Sequence, residues 1–210
     1  MQSFLPRRVR LALACVAAMH VATVSAQATP PIAPTISAPV EATFQRVLAA
    51  AAVKSALAAI EADDDRTLRD QIELTEIPAP PFNEAVRAAE YAKRLQVRGF
   101  TEARVDKKRN VIAVGKGSGN GPLLIVSAHQ DTVFPEDTDV KVKPQGERYY
   151  APGIYDDGRG LAALLSVVRA RNATQIKTVG DVWFVGTVGE EELGDLRGVT
   201  STCAPTGLPN

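Results

Sequence analysis

Hydrophobic positions change their spacing several times along this chain, and each change marks a predicted element. Between residues 40 and 62, Phe44, Val47, Leu48, Ala51, Leu57 and Ile60 recur at helical spacing on an alanine-rich background that favours helix. Asp63 to Asp65 can cap a second helix carrying Leu68, Ile72 and Leu74, which Pro78, Pro80 and Pro81 stop. A third helix begins at Asn83, with Val86, Ala89 and Leu95 on its apolar side and Gly99 where a left-handed residue ends it. Strands are predicted at 102–105, 110–114 and 123–128. The last is an apolar run without polar alternation, the pattern of a central strand covered on both faces. Val140 and Val142 alternate with Lys141 and Lys143, which predicts a half-exposed strand. Residues 159–171 read as a helix with Leu161, Leu164, Leu165 and Val168 inward, and 182–185 as a buried strand. Helices alternating with apolar strands predict an α/β sandwich with a mixed sheet. No internal repeat is present.

The first 28 residues stand apart from this pattern. Arg7, Arg8 and Arg10 precede an apolar stretch from Leu11 to Val24, and small residues follow at Ala26 and Ala28. That is the layout of a cleaved export signal, too short for a lasting membrane span, so the mature chain is expected in the periplasm or outside the cell. Whether the general or the twin-arginine route is used stays open at this point. Residues 29–39, rich in proline and without periodicity, read as an extended, disordered leader. Removing residues 1–28 takes three arginines away, so the formal charge falls from 0 to −3, with 21 basic against 24 acidic side chains. The mature chain is mildly acidic and nothing in it suggests a nucleic-acid surface, and Lys107, Lys108 and Arg109 read as a solvated hairpin turn. Only Cys203 then remains, which rules out an internal disulfide.

Ligand-type residues gather in three short segments, "HQD" at 129–131, "GIYDDGRG" at 153–160 and "GTVGEEELGD" at 186–195. Each lies just beyond a predicted strand or at the start of a helix, where open α/β sheets build their sites. On a strand, residues two apart point the same way, so Asp131 can accept one ring N–H of His129 and leave the other nitrogen for a metal. Each piece also has an ordinary reading: a core histidine beside a carboxylate, an Asp-Asp-Gly turn, a solvated acidic loop.

The three together resemble a family, the zinc exopeptidases that include glutamate carboxypeptidase, aminoacylase, acetylornithine deacetylase and succinyl-diaminopimelate desuccinylase. The likeness runs from about Leu68 to Val199 and is carried by "AHQDTVFP", "APGIYDD" and "GTVGEE". It implies a three-layer α/β sandwich with a mixed, mostly parallel sheet, and hydrolysis of small peptides or N-acyl amino acids. It further implies His129 as a ligand of one metal with Asp131 behind it, Asp156 bridging two metals, Glu191 as a metal ligand and Glu190 as general base. Asp157, Gly158 and Gly160 shape the turn after the bridge, and a cis peptide is expected between Asp156 and Asp157. The competing register makes Glu191 the base and Glu192 the ligand. Two Zn²⁺ ions roughly 3.5–4 Å apart would share a carboxylate and a water made acidic enough for Glu190 to deprotonate. Co²⁺ or Mn²⁺ could fill the same donor set.

The resemblance also implies a later carboxylate ligand and a second histidine near the far C-terminus. Only 19 residues follow Glu191, and none is histidine. The chain is therefore expected to hold a C-terminally truncated catalytic domain over 40–199 with an irregular tail at 200–210. Weak zinc binding and little or no hydrolysis follow from that, and a homodimer only where the missing domain is present. A non-catalytic exported binding module that keeps the fold is the alternative.

Overall fold

The computed structural model describes residues 36–203. The export-signal reading of 1–28 and most of the proline-rich leader lie outside the described residues. Two compact units divide between Glu41 and Ala42. Of the first, residues 36–41 are described, and they include the opening turn of helix α1, Ala38–Ala49. Everything that follows belongs to the second.

The expected helix over 40–62 is two, α1 and α2 (Ala51–Ala62), separated by Ala50 in an extended conformation with φ −62° and ψ 131°. α2 packs against the long helix α5 (Gly158–Thr174), whereas no residue of α1 is buried. Alanine propensity alone does not carry a helix past the point where tertiary contact ends.

α3 (Asp64–Thr75) starts where the aspartates predict, but not by capping. Asp63 stands at the cap position without a capping hydrogen bond, and its carboxylate instead meets Arg169 at 2.5 Å. Leu68 and Ile72 are only half-buried, and the inward face includes Thr67, Asp70, Gln71 and Thr75 beside Leu74. Fully buried Asp70 binds Arg94 at 2.7 Å, Arg98 at 3.2 Å and Arg169 at 2.5 Å, joining α3 to its helical neighbours.

In α4 (Ala85–Gln96) the buried stripe is Arg87, Ala88, Tyr91, Ala92 and Leu95. Val86 is 67% exposed and Ala89 is exposed, so the helix is turned away from the face its apolar spacing predicts. The cause is Arg87, which donates to the carbonyls of Ile77 at 3.0 Å, Gln130 at 2.6 Å and Thr75 at 3.3 Å. Gly99 takes φ +94°, as expected after the helix end.

The strands are β1 (Arg104–Val105), β2 (Val111–Gly115), β3 (Leu124–His129), β4 (Lys143–Gln145), β5 (Arg148–Tyr150) and β6 (Val182–Thr187). Their main sheet has the order β1-β2-β6-β3 and is mixed: β3 and β6 run parallel, while β1 with β2 and β2 with β6 run antiparallel. β6, buried at every position, is the central strand. β3, predicted for that place, lies at an edge of the described sheet with Leu124 56% exposed, because an apolar run records contact with apolar neighbours and not strand order. Val111, Ala113, Phe184 and Ala128 meet Leu161, Leu165 and Val168 of α5 and Tyr91 and Leu95 of α4 in one core, and Ile112, Trp183 and Val185 form a smaller cluster.

β4 and β5 make a separate hairpin, which starts at Lys143 and not at Val140. Val140 is buried, and the Val142 amide donates to the Glu76 carboxylate at 3.0 Å, so Val142 is held to the end of α3 and neither valine is in a ladder. Helix α6, Arg197–Cys203, enters the segment expected to be irregular, held by Asn110 Nδ2 donating to the Gly198 carbonyl at 3.1 Å. Cys203 is free and exposed. Among the described residues no single helix is long and apolar enough to cross a membrane.

Candidate metal centre

His129 is the last residue of β3, and its pairing with Thr187 places it at the carboxyl end of the central strand as well. The chain leaves β6 through Val188 and Gly189 toward Glu190 and Glu191, while Asp156 precedes α5. Three segments distant in sequence therefore meet at one rim of the sheet. His129, Asp156 and Glu191 each bring a ligand atom within 4.8 Å of the others. Nε2 of His129 lies 2.8 Å from Asp156 Oδ1 and 4.0 Å from Glu190 Oε2. The cluster holds Glu191 and not Glu192, which takes φ +38° in a short 3-10 turn, Glu192–Gly194. The expected cis peptide between Asp156 and Asp157 is present.

Asp131 is where the geometry departs from expectation. The Nδ1 hydrogen-bond partner of His129 is the backbone carbonyl of Asp131 at 3.0 Å, and the Asp131 carboxylate stands 3.8 Å away. β3 ends at His129, so the alternation that would align the two side chains no longer applies at Asp131. The carboxylate instead accepts the amides of Glu190 at 3.2 Å and Glu191 at 2.9 Å. It holds the acidic segment in place through the backbone.

Asp157 does the same for His129. One carboxylate oxygen accepts the His129 amide at 3.0 Å and the other accepts Gly160 N at 2.9 Å, which caps α5. A Cβ on Gly160 would stand 2.1 Å from that carboxylate, so any side chain there must displace the Asp157 cap. Burial raises the Asp157 pKa against the hydrogen bond from His129. Burial, followed by the charge of Asp156, raises that of Glu191. Burial pulls the His129 imidazole down, but the hydrogen bond to Asp156 and the charges of Asp157, Asp131 and Glu190 outweigh it, so its pKa is raised.

Sequence reasoning missed the residues that brace these segments. Asn110, fully buried, accepts Val188 N at 3.1 Å just before the Glu pair. Gln130 donates to the Gly186 carbonyl at 2.8 Å, and Arg87 holds the Gln130 carbonyl. Arg197 lies where a Cβ of Gly189 would stand and pairs with buried Glu84. The available signal was a polar residue beside each apolar run, Asn110 before "VIAVG" and Gln130 after "LLIVSAH".

The donor set suits a divalent cation. One imidazole and two carboxylates match the three protein ligands typical of a catalytic zinc site, and a cation at their centre would replace the proton that now joins His129 to Asp156. Residues 125–208 match the model of Peptidase family M20/M25/M40. Over that stretch the chain is similar to the M20 peptidases. A Pyrococcus abyssi (strain GE5 / Orsay) protein provisionally named a [LysW]-lysine/[LysW]-ornithine hydrolase is 32% identical over 132 residues, which is 63% of this chain and 35% of that one. The structure of a tripeptidase from Staphylococcus aureus subsp. aureus Mu50 aligns with TM-score 0.51 at 25% identity, covering 63% of this chain and 40% of its own. Human carnosine dipeptidase 1 aligns with TM-score 0.59 at 16% identity over 76% of this chain and 40% of its own, a likeness of fold. The chain thus spans about a third to two fifths of the length of these proteins, and the matched family model is one of peptidases.

Proposed function

We propose that these residues are part of the catalytic domain of an exported, metal-dependent M20-type hydrolase that cleaves small peptides or N-acyl amino acids. The observation that carries the reading is the convergence of His129, Asp156 and Glu191 with Glu190 beside them. His129, Asp156 and Glu191 would hold the metal, zinc being the best match to imidazole and carboxylate donors. When bound, the metal supplies Lewis acidity, polarising the substrate carbonyl and acidifying water. Glu190, beside the cluster and open to solvent, takes a proton from the attacking water and returns it to the leaving nitrogen. Asp131 keeps Glu190 and Glu191 in register through their amides. Export is supported by the layout of residues 1–28, and a small-peptide substrate by the tripeptidase and dipeptidase relatives.

Among the described residues the ligands suffice for one ion and not for the two that the resemblance implies. The proposal therefore includes weak zinc binding and little or no turnover by the 210-residue chain on its own. Zinc titration by calorimetry, with dipeptide and N-acetyl amino acid turnover measured in parallel, tests it. Expected is one weak site, lost in His129→Ala and kept in Glu190→Gln. No zinc binding would sink the metal reading and favour the non-catalytic module. Efficient turnover abolished by chelator would sink the claim of low activity.

A further inference from the structure

At the opposite end of the sheet from His129, a cavity of about 850 Å³ opens between the segments that follow α4, β2 and α5. Arg98, Lys116, Arg171 and Lys177 line it, and no carboxylate does. Two of the four cations are already engaged within the protein. Arg98 donates to Asp70 and to the Arg94 carbonyl, and Lys116 pairs with Asp181 at 3.0 Å. The side chains of Arg171 and Lys177 have neither hydrogen-bond nor ion-pair partner among the described residues.

The Arg171 guanidinium lies flat against Gly115, where an added Cβ would come within 3.2 Å of its central carbon. Its Nε and that of Arg98 are buried without acceptors. A guanidinium partly withdrawn from water beside other cations, with nothing to accept its protons, is unfavourable until an anion arrives. Its planar fork fits two oxygens of a phosphate, and a neighbouring lysine adds a point charge.

We propose that this cavity is an oxyanion site that takes a phosphate group, with Arg171 and Lys177 as its charged contacts. Two uncompensated cations balance a dianion, and the volume leaves room for a substituent on the phosphate. The site is separate from the candidate metal centre. Gly115 pairs with Val182 and His129 with Thr187, at opposite ends of β6, a span of about 17 Å at roughly 3.3 Å per residue. A ligand here acts on the fold or on its stability and does not touch a substrate at the other rim.

The phosphate can be free or carried on a small molecule, and one experiment addresses both. The 210-residue chain is titrated with inorganic phosphate and with glycerol 2-phosphate, at ionic strength matched by sodium chloride, while melting temperature and amide NMR shifts are followed. Expected is saturable binding of at least one, with shifts at Gly115, Lys116 and Arg171, and the tighter of the two identifies the source. Arg171→Gln and Lys177→Gln should each weaken binding by about tenfold or more, the loss of one charge-assisted contact. His129→Ala should leave it unchanged. If Arg171→Gln fails to fold, Lys177→Gln decides, because Lys177 is exposed. Stabilisation no greater than that of chloride, equal binding of succinate, or unchanged affinity in the folded variants would overturn the proposal.

Discussion

Replacing Asp131 with asparagine should loosen the segment that carries Glu190 and Glu191 before it alters the His129 ring. The carboxylate is fully buried and accepts two amides, at 3.2 and 2.9 Å. A hydrogen bond to a charged acceptor contributes about 1.5–3 kcal/mol. Asparagine keeps one oxygen as a neutral acceptor and turns an NH₂ group toward the other amide, so one bond weakens and the second is lost. The expected destabilisation is about 2–3 kcal/mol, a large part of the stability of an ordinary domain. Urea unfolding gives the magnitude, and residue-resolved NMR locates it. The Glu190 and Glu191 amides should exchange faster and move upfield, while His129 Nδ1 keeps its hydrogen bond to the Asp131 backbone carbonyl and the ring pKa falls with the loss of the Asp131 charge. A carboxylate hydrogen-bonded to the ring itself would instead free Nδ1 and leave the two amides unmoved. Stability within about 0.5 kcal/mol of the parent, the range of ordinary surface changes, together with unmoved amides would refute the clamp.

Arg87→Met removes the donor to three carbonyls and should destabilise the chain by about 3 kcal/mol or more in urea unfolding, with Arg87→Lys restoring only part. Gly160→Ala forces a Cβ to 2.1 Å from the Asp157 carboxylate, so it should break the α5 cap and the tie to the His129 amide, lowering zinc affinity in the titration together with the melting temperature. Glu76 has its pKa lowered by the hydrogen bond from Lys141 and then by the Val142 amide. The folded value thus lies below the unfolded one, and the contribution of Glu76 is complete above the ordinary value of 4.5 and is lost as pH falls through the folded pKa. Glu76→Gln should flatten that acid loss in unfolding measured across the range, and an unchanged profile would count against it.

Where periodicity was strong and the buried face apolar, the elements were legible before any coordinates. Leu161, Leu164, Leu165 and Val168 are all buried in α5, as their spacing predicts. The spacing of α4 misled because its inward face carries Arg87, whose cost of burial is offset by carbonyls contributed by residues 75, 77 and 130. Such partners are tertiary and leave no local trace. The order of the strands was hidden for the same reason: "LLIVSAH" and "VWFVGT" read alike, yet one lies at an edge and the other at the centre. At the site, residue types and their placement beyond strand ends marked three segments, and the family resemblance picked out of them His129, Asp156 and Glu191, which the structure brings together. The target of the Asp131 carboxylate was not legible, since strand alternation ceases one residue past His129.

Ligand-bearing segments lie beyond the strand ends, where the sheet no longer satisfies their amides and carbonyls, so other groups must. Polar side chains take over that task one segment at a time. Asp157 binds the His129 amide, Asp131 those of Glu190 and Glu191, Asn110 that of Val188, and Gln130 the carbonyl of Gly186. Each tie joins parts of the chain far apart in sequence, so the site forms only with the fold, and its imidazole and the Glu191 backbone are positioned before any ion is needed to gather them. Asp156 is the exception. Its carboxylate is 69% exposed and has His129 Nε2 as its hydrogen-bond partner. Its carboxylate and that of Glu191, which no hydrogen bond holds among the described residues, are the donors that a cation must fix, so zinc should sharpen and shift the side-chain resonances of both while leaving the amides of Glu190 and Glu191 nearly where they were. Equal reordering of all three segments on zinc addition would mean that the metal, and not these side-chain ties, assembles the centre.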